Sequence, residues 1–384
     1  MLTQNNIPQT FTPTLMQLKK NAASASITDF SKTLLLYEEK LFPLGDCCIH
    51  FGKIKYLRTF LNNGLITVNF SDEHNEKYID SLLKNNTDID TVSTLQWEEL
   101  QFDKFDLIIC ILFEEEKLLH FLHEKYGPLI STNIWKPVIY STSWLFWAPA
   151  DRAKAIFPSN LQMNEFLMIP RQTELYISEE ERMWGNNWLM QKGLEKHEKL
   201  FIIIDSAGAK GKLLNEDVFF GFLSWILEKK NIKVLAFDEG NTGKEDKYRQ
   251  WLGEKAMEKL IFSTGMKLRQ DLCLVASAYT SMVFGPCSGM MHCASAIYNH
   301  YVMSAGMTNV PSLFVYAGLD EEKNYNLFEW WGESPLVNCF FIREEDGEKK
   351  VISLNSLTVE EGRDDKRLPS SAYTTKLLID FIGS

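Results

Sequence analysis

Residues 281–296 read SMVFGPCSGMMHCASA, an apolar strand that passes through a turn of small residues directly into a helix. The run from Ser281 to Phe284 reads as a buried parallel strand, and Gly285 and Pro286 are expected to end it, since proline lacks the ladder N–H. Ser288 is then the expected N-cap. From Gly289 onward the free N–H groups and the macrodipole of the helix suit an anion, and Gly289 has no side chain to block it. His292 falls on the first helical turn, where its imidazole reaches the same anion. The stretch is read as a phosphate site; taken alone, its plainer reading is an ordinary strand-to-helix turn with a capping serine.

The same alternation runs along the chain. Strands are expected over residues 33–37, 65–70, 89–94 and 105–113, and helices over 47–62, 73–84 and 114–126, with Asp46 immediately before the first helix. After a less regular stretch, strands at 200–204, 232–237, 260–263, 281–284 and 311–316 alternate with helices at 216–230, 247–255 and 267–278. Alternation of this kind means parallel sheets covered by helices on both faces. With 384 residues the chain is too long for one ordinary core. The expected fold class is α/β, with two Rossmann-like domains facing each other across a cleft into which their ligand loops project. Residues 1–31 read as a polar extension that contributes little to a core, 32–170 as the first domain and 171–370 as the second. A final helix within 371–384 is expected to cross back onto the first domain. Trp135, Trp144, Phe146 and Trp147 are read as packing rather than as a substrate cleft.

A formal net charge of -11 argues against nucleic acid and against an anionic membrane surface as partners. No signal peptide and no transmembrane stretch is visible. Seven cysteines without metal-ligand spacing read as reduced thiols of a cytoplasmic protein.

Three loops are expected to meet in the cleft: Gly45 with Asp46, Ser206 to Lys212, and Cys287 to His292. Lys212 follows a small-residue turn containing Ser206 and Gly208, where an ammonium would neutralise a diphosphate leaving group. A surface lysine, and a plain helix cap at Asp46, are the bland alternatives. Asp88 and Asp90 precede a strand and are read as a solvated turn.

In order and spacing these residues resemble the heptosyltransferases of glycosyltransferase family 9. Gly45, Asp46 and Cys47 are similar to that family's first loop. Ser178 to Arg182, Phe201 to Gly208 and Lys212 to Asp217 are similar to the opening of its second domain. Ser288, Gly289, His292, Ala294 and Ala296 are similar to its signature, although the acidic residue that opens the signature is Cys287 here. The resemblance implies the GT-B fold and inverting transfer of a heptose from an ADP-sugar to an acceptor hydroxyl, with no metal or other cofactor. It gives Asp46 as general base and Lys212 as the leaving-group cation. Ser206, Gly208, Lys212, Cys287, Ser288, Gly289 and His292 would bind the donor, with Glu239 or Glu245 near the nucleoside. The partners would be the nucleotide sugar and a glycan, lipid-linked or protein acceptor. The loss of the acid at Cys287 leaves a second class open, a catalytically degenerate GT-B nucleotide-binding or regulatory protein. Another Rossmann enzyme, such as a sugar-nucleotide epimerase, is a third.

Overall fold

The computed structural model describes residues 8–26, 30–37, 43–52, 54–71, 79–111, 115–141, 156–157, 173–319, 326–331, 334, 336–363 and 366–383. By its contacts the chain divides into two units, the first made of Met1–Phe42, Ile49–Asp80 and Asn86–Pro170, the second of Pro43–Cys48, Ser81–Asn85 and Arg171–Ser384.

The first unit is built on five parallel strands, β1 Lys32–Tyr37, β2 Leu65–Phe70, β3 Thr91–Ser93, β4 Leu107–Ile111 and β5 Val138–Ser141, in the order β3-β2-β1-β4-β5. This is the order of a doubly wound sheet, and the complete burial of β4 fits a strand covered on both faces. Helices α1 Thr12–Ser24, α2 Leu44–Gly52, α3 Ile54–Phe60 and α4 Glu115–Ser131 accompany it.

Several expectations need correction. The supposed N-terminal extension contains α1, which opens with a proline in its first turn and buries Thr14, Leu18, Asn21 and Ala22. Leu18 joins Leu118, Leu119 and Leu122 of α4 in one core, Thr14 shares a 2.9 Å hydrogen bond with His123, and the Asn21 amide donates to the Pro137 carbonyl. The polar letters of α1 had masked an amphipathic helix. Strand β5, with every residue buried, lies in the stretch read as irregular. Trp135 is packed in this core; Trp144, Phe146 and Trp147 lie outside the described residues, as does the start of the helix expected over 73–84. Asp90 is exposed at the bend before β3, as read, and it also accepts from Arg58 and the Ile66 N–H.

The second unit carries seven strands: β6 Lys199–Ile203, β7 Ile232–Asp238, β8 Leu260–Thr264, β9 Thr280–Pro286, β10 Ser312–Ala317, β11 Val337–Glu345 and β12 Glu348–Ser353. Their order is β12-β11-β10-β9-β6-β7-β8, parallel except for the antiparallel β11–β12 pair. Removing β12 leaves the six-stranded doubly wound order, which reverses direction between β6 and β9. Its helices include α5 Glu179–Gln191, α6 Glu216–Leu227, α7 Lys244–Leu252, α8 Leu268–Val275, α9 Gly289–Met303, α10 Leu327–Trp331 and α11 Thr375–Gly383.

The sheet was expected to stop at residue 316. It continues through the β11–β12 hairpin, whose turn at Asp346 and Gly347 has positive φ at both residues (54° and 78°), as a tight two-residue hairpin requires. Gly285 and Pro286 do not end β9 but pair with Val315 and Tyr316 as its last residues. Helix α11 packs within its own unit, against α6, where a side chain at Gly221 would meet the Thr375 hydroxyl at 2.7 Å. It is therefore part of the second core rather than a return to the first domain.

At the start of this unit Ser178 and Glu181 form a reciprocal capping box on α5. Glu181 also receives Arg269, Lys84 and Asn85, and Arg269 donates further to the carbonyls of Ser81 and Tyr176. These bonds attach residues 81–85 to α5 and α8.

Candidate active site

In a doubly wound sheet, ligands sit outside the carboxyl ends of the strands where the strand order reverses. In the second unit that point lies between β6 and β9. The chain leaving β6 is the 205–212 loop and the chain leaving β9 is the Cys287–His292 turn, so the two loops singled out in the sequence open at the same place. Residues 43–48 are grouped with this unit too, which moves Asp46 out of the first domain to which the sequence reading assigned it.

Helix α9 begins at Gly289 and buries Met291, Cys293, Ala294, Ala296 and Ile297, all with no exposed surface. Ser288 is the N-cap residue by position, yet its hydroxyl makes no capping bond and finds no partner among the described residues. The glycine at 289 answers a neighbour: a side chain there would meet the Gly45 nitrogen and the Leu44 Cβ, each at 2.8 Å. Reciprocally, a side chain at Gly45 would meet the His292 ring at 2.8 Å and the Gly289 Cα at 3.2 Å. Two glycines thus allow the start of α2 and the start of α9 to touch through their backbones. Asp46, half-buried, is the third residue of α2 and lies inside its first turn, because the helix begins at Leu44 and not after the aspartate.

His292 is buried, and its ring stacks face to face on Trp331, with centroids 3.9 Å apart and planes 4° from parallel; Trp330 lies at 5.5 Å. Burial pushes the imidazole down to about 3, and the Lys212 charge acts in the same direction. The ring is therefore neutral near pH 7 and acts as a hydrogen-bonding group rather than as a cation. Lys212, half-buried, ends a short 3-10 turn, Lys210–Lys212. Cys287 is buried and accepts the Trp331 indole N–H at 3.3 Å. Ser206 and Gly208 are exposed on the loop after β6.

Two acids were left undecided for the nucleoside. Glu245 is paired with Arg249 at 2.8 Å one turn along α7, whereas Glu239 follows the last residue of β7 and is exposed. Glu239 stands at a strand's carboxyl end and makes no ion pair among the described residues. Beside it, Asp238 is buried; burial would raise its pKa, but bonds from the Thr242 backbone and hydroxyl and the Lys244 backbone and charge hold it below the usual range.

Sequence reasoning missed three groups. Asp205, at the mouth of β6, accepts from Lys244 at 2.5 Å and from the Tyr248 hydroxyl at 2.8 Å. Asp271, near the end of β8, accepts from Ser263; burial pushes it up to about 7, with Ser263 opposing and Glu239 adding to the rise. Trp331 is the third, and adjacent tryptophans at 330 and 331 beyond the last recognised strand were its only signal.

Asp271 and His292 give stability opposite pH dependences. Asp271 is raised from its ordinary 3.8, so its contribution is full below about 4 and is lost as pH rises through about 7. His292 is lowered from 6.5 to about 3, so its contribution is full above the ordinary value and is lost as pH falls. Urea unfolding between pH 4 and pH 7 should show Asp271→Asn gaining stability, relative to the wild type, as pH rises, and His292→Phe gaining it as pH falls. Parallel profiles for the two variants would contradict both assignments.

Among solved structures the chain is similar to the ADP-heptose LPS heptosyltransferase II of E. coli, with a TM-score of 0.52 at 14% identity over 87% of this chain and 97% of that one. A glycosyl transferase family 9 structure from Veillonella parvula DSM 2008 gives a TM-score of 0.53 at 13% identity, over 82% and 87%. The fold is that of the GT-B glycosyltransferases. No protein-family model and no curated protein matches the chain. At such identities the likeness carries the GT-B fold alone, so the chemistry has to be argued from the residues described above. Among the described residues no helix is long and apolar enough to cross a membrane.

Proposed function

We propose that the protein is a glycosyltransferase that moves a sugar from a nucleoside diphosphate sugar to an acceptor hydroxyl. The observation that carries this reading is the meeting, at the reversal point of the second sheet, of the Lys212 loop with the first turn of α9, against the Gly45 turn that leads to Asp46. In the proposed step Asp46 takes the proton of the acceptor hydroxyl as its oxygen attacks the anomeric carbon on the face opposite the diphosphate. The bond from that carbon to the diphosphate breaks, and the configuration inverts. Negative charge collects on the leaving phosphate, where the Lys212 ammonium and the N–H groups at the start of α9 receive it. Those charges serve the role for which other transferases use a metal ion, so the proposal includes metal independence. Glu239 would hold the ribose. The donor is taken to be ADP-heptose, the acceptor a glycan, a lipid-linked sugar or a protein, and the compartment the cytoplasm.

A second reading, a nucleotide-binding protein without turnover, is favoured by one observation. Cys287 is turned to an internal tryptophan instead of supplying the acid expected there. One experiment separates the two. Thermal shift with ADP, UDP and GDP finds the nucleotide, and release of that diphosphate from its sugars, with and without EDTA, measures turnover. The transferase reading expects stabilisation by ADP and transfer that survives the chelator, with the opposite anomer in the product by NMR. Binding without transfer to any acceptor would favour the second reading, and no stabilisation by any of the three nucleotides would remove both.

A further inference from the structure

We propose that Trp331 is a positioning residue, which fixes the His292 ring against the first turn of α9 and is itself anchored by Cys287. The inference rests on the reading of that turn as a nucleotide site, but its geometry stands independently. Three buried side chains form a chain of contacts: the Cys287 sulfur accepts the indole N–H at 3.3 Å, the indole lies flat on the imidazole at 3.9 Å, and the imidazole edge faces Gly45. Cys287 and His292 flank the start of α9, one on each side of Ser288 and Gly289, so the indole joins the two ends of the turn. A ring so stacked is held in one orientation, which leaves its nitrogens in a fixed place for a hydrogen bond to a ligand at the helix start.

This arrangement also gives a physical account of cysteine at 287. The residue there answers the indole N–H, so what the position must supply is an acceptor for Trp331. A buried indole N–H without an acceptor costs about 1–3 kcal/mol, and a thiol supplies one weakly.

The stack also helps exclude water from the imidazole, in keeping with the burial that lowers its pKa. That makes the proton affinity of His292 the readout that separates positioning from a merely structural role. His292 is titrated by NMR of histidine-labelled protein in the wild type and in Trp331→Phe, Trp331→Leu, Cys287→Ser and Cys287→Ala, with ADP affinity measured in parallel. Phenylalanine keeps a ring for the stack, so His292 should still titrate far below the ordinary range. Leucine removes the stack, and the titration should move up by a unit or more, with ADP bound about tenfold more weakly. Serine keeps an acceptor and should leave the His292 titration in place, whereas alanine should shift it upward. An unchanged His292 titration in Trp331→Leu would overturn the proposal. If that variant does not fold, identical titrations in Cys287→Ser and Cys287→Ala overturn it instead. Failure of the wild type to bind any nucleoside diphosphate would sink the functional reading, while the titrations would still decide the role of Trp331.

Discussion

Asp46→Asn should lower sugar transfer by about a hundredfold or more, the scale of a lost general base. The substitution keeps the size of the side chain and removes only its ability to take a proton. Asp46 is the third residue of α2, and its charge favours the helix start by about 0.3–1 kcal/mol, so the variant should lose little stability. Nucleotide affinity should stay within a few-fold, because the neighbour that touches the α9 turn is the backbone of Gly45, which the change leaves intact. Steady-state kinetics should therefore show the loss in kcat with KM for the donor nearly constant. A variant that transfers at the wild-type rate would reduce Asp46 to an acid that merely complements a helix start.

Arg269→Met should destabilise the second unit by about 3–5 kcal/mol, as expected when one partner of a buried ion pair is removed. Arg269 is 9% exposed, and its guanidinium serves three acceptors: Glu181, the Ser81 carbonyl and the Tyr176 carbonyl. Deleting it removes the Arg269 bonds to two carbonyls, and leaves Glu181 with Lys84, Asn85 and its own cap. The carboxyl of Glu181, which burial alone would raise, is held down to about 2 chiefly by Arg269 and then Lys84. Replacing Glu181 together with Arg269 by apolar residues should recover part of the loss, since the one charge left over, that of Lys84, is exposed to water. Urea unfolding measures both. A loss below about 1 kcal/mol in the single variant would place this pair with ordinary surface ion pairs.

The parallel strands were legible wherever an apolar run was long and bounded. Strands β1, β2, β6 and β10 lie within a residue of their expected limits, because each is a run such as Leu34–Leu36 with turn residues on either side. Short or charged strands were not. VIYS of β5 is four residues beside a proline, and the EKKVIS of β12 carries three charges, so neither makes an apolar run. The Asp346-Gly347 turn between β11 and β12 was the available signal for the hairpin, and turn chemistry outweighed composition there. At the site, the strand-turn-helix of β9 and α9 was readable because a local period specifies it. The reason for Gly289 was not, because the residue that needs the space, Gly45, lies more than two hundred positions away. The neutrality of His292 was not readable for the same cause: it depends on burial and on the Lys212 charge, which no local pattern records.

The second sheet ends at β12, and an outermost strand presents a row of backbone donors and acceptors that the sheet itself does not use. Glu348, Lys349 and Lys350 stand exposed on that strand, opposite Glu345, Glu344 and Arg343 of β11. A strand from another copy would have to bring its own side chains against these closely set charges of both signs and strip water from the lysines to do so. The sheet thereby carries its own protection from self-templating, and the charges that hid β12 from a reading of the sequence are what keep the border of the domain soluble.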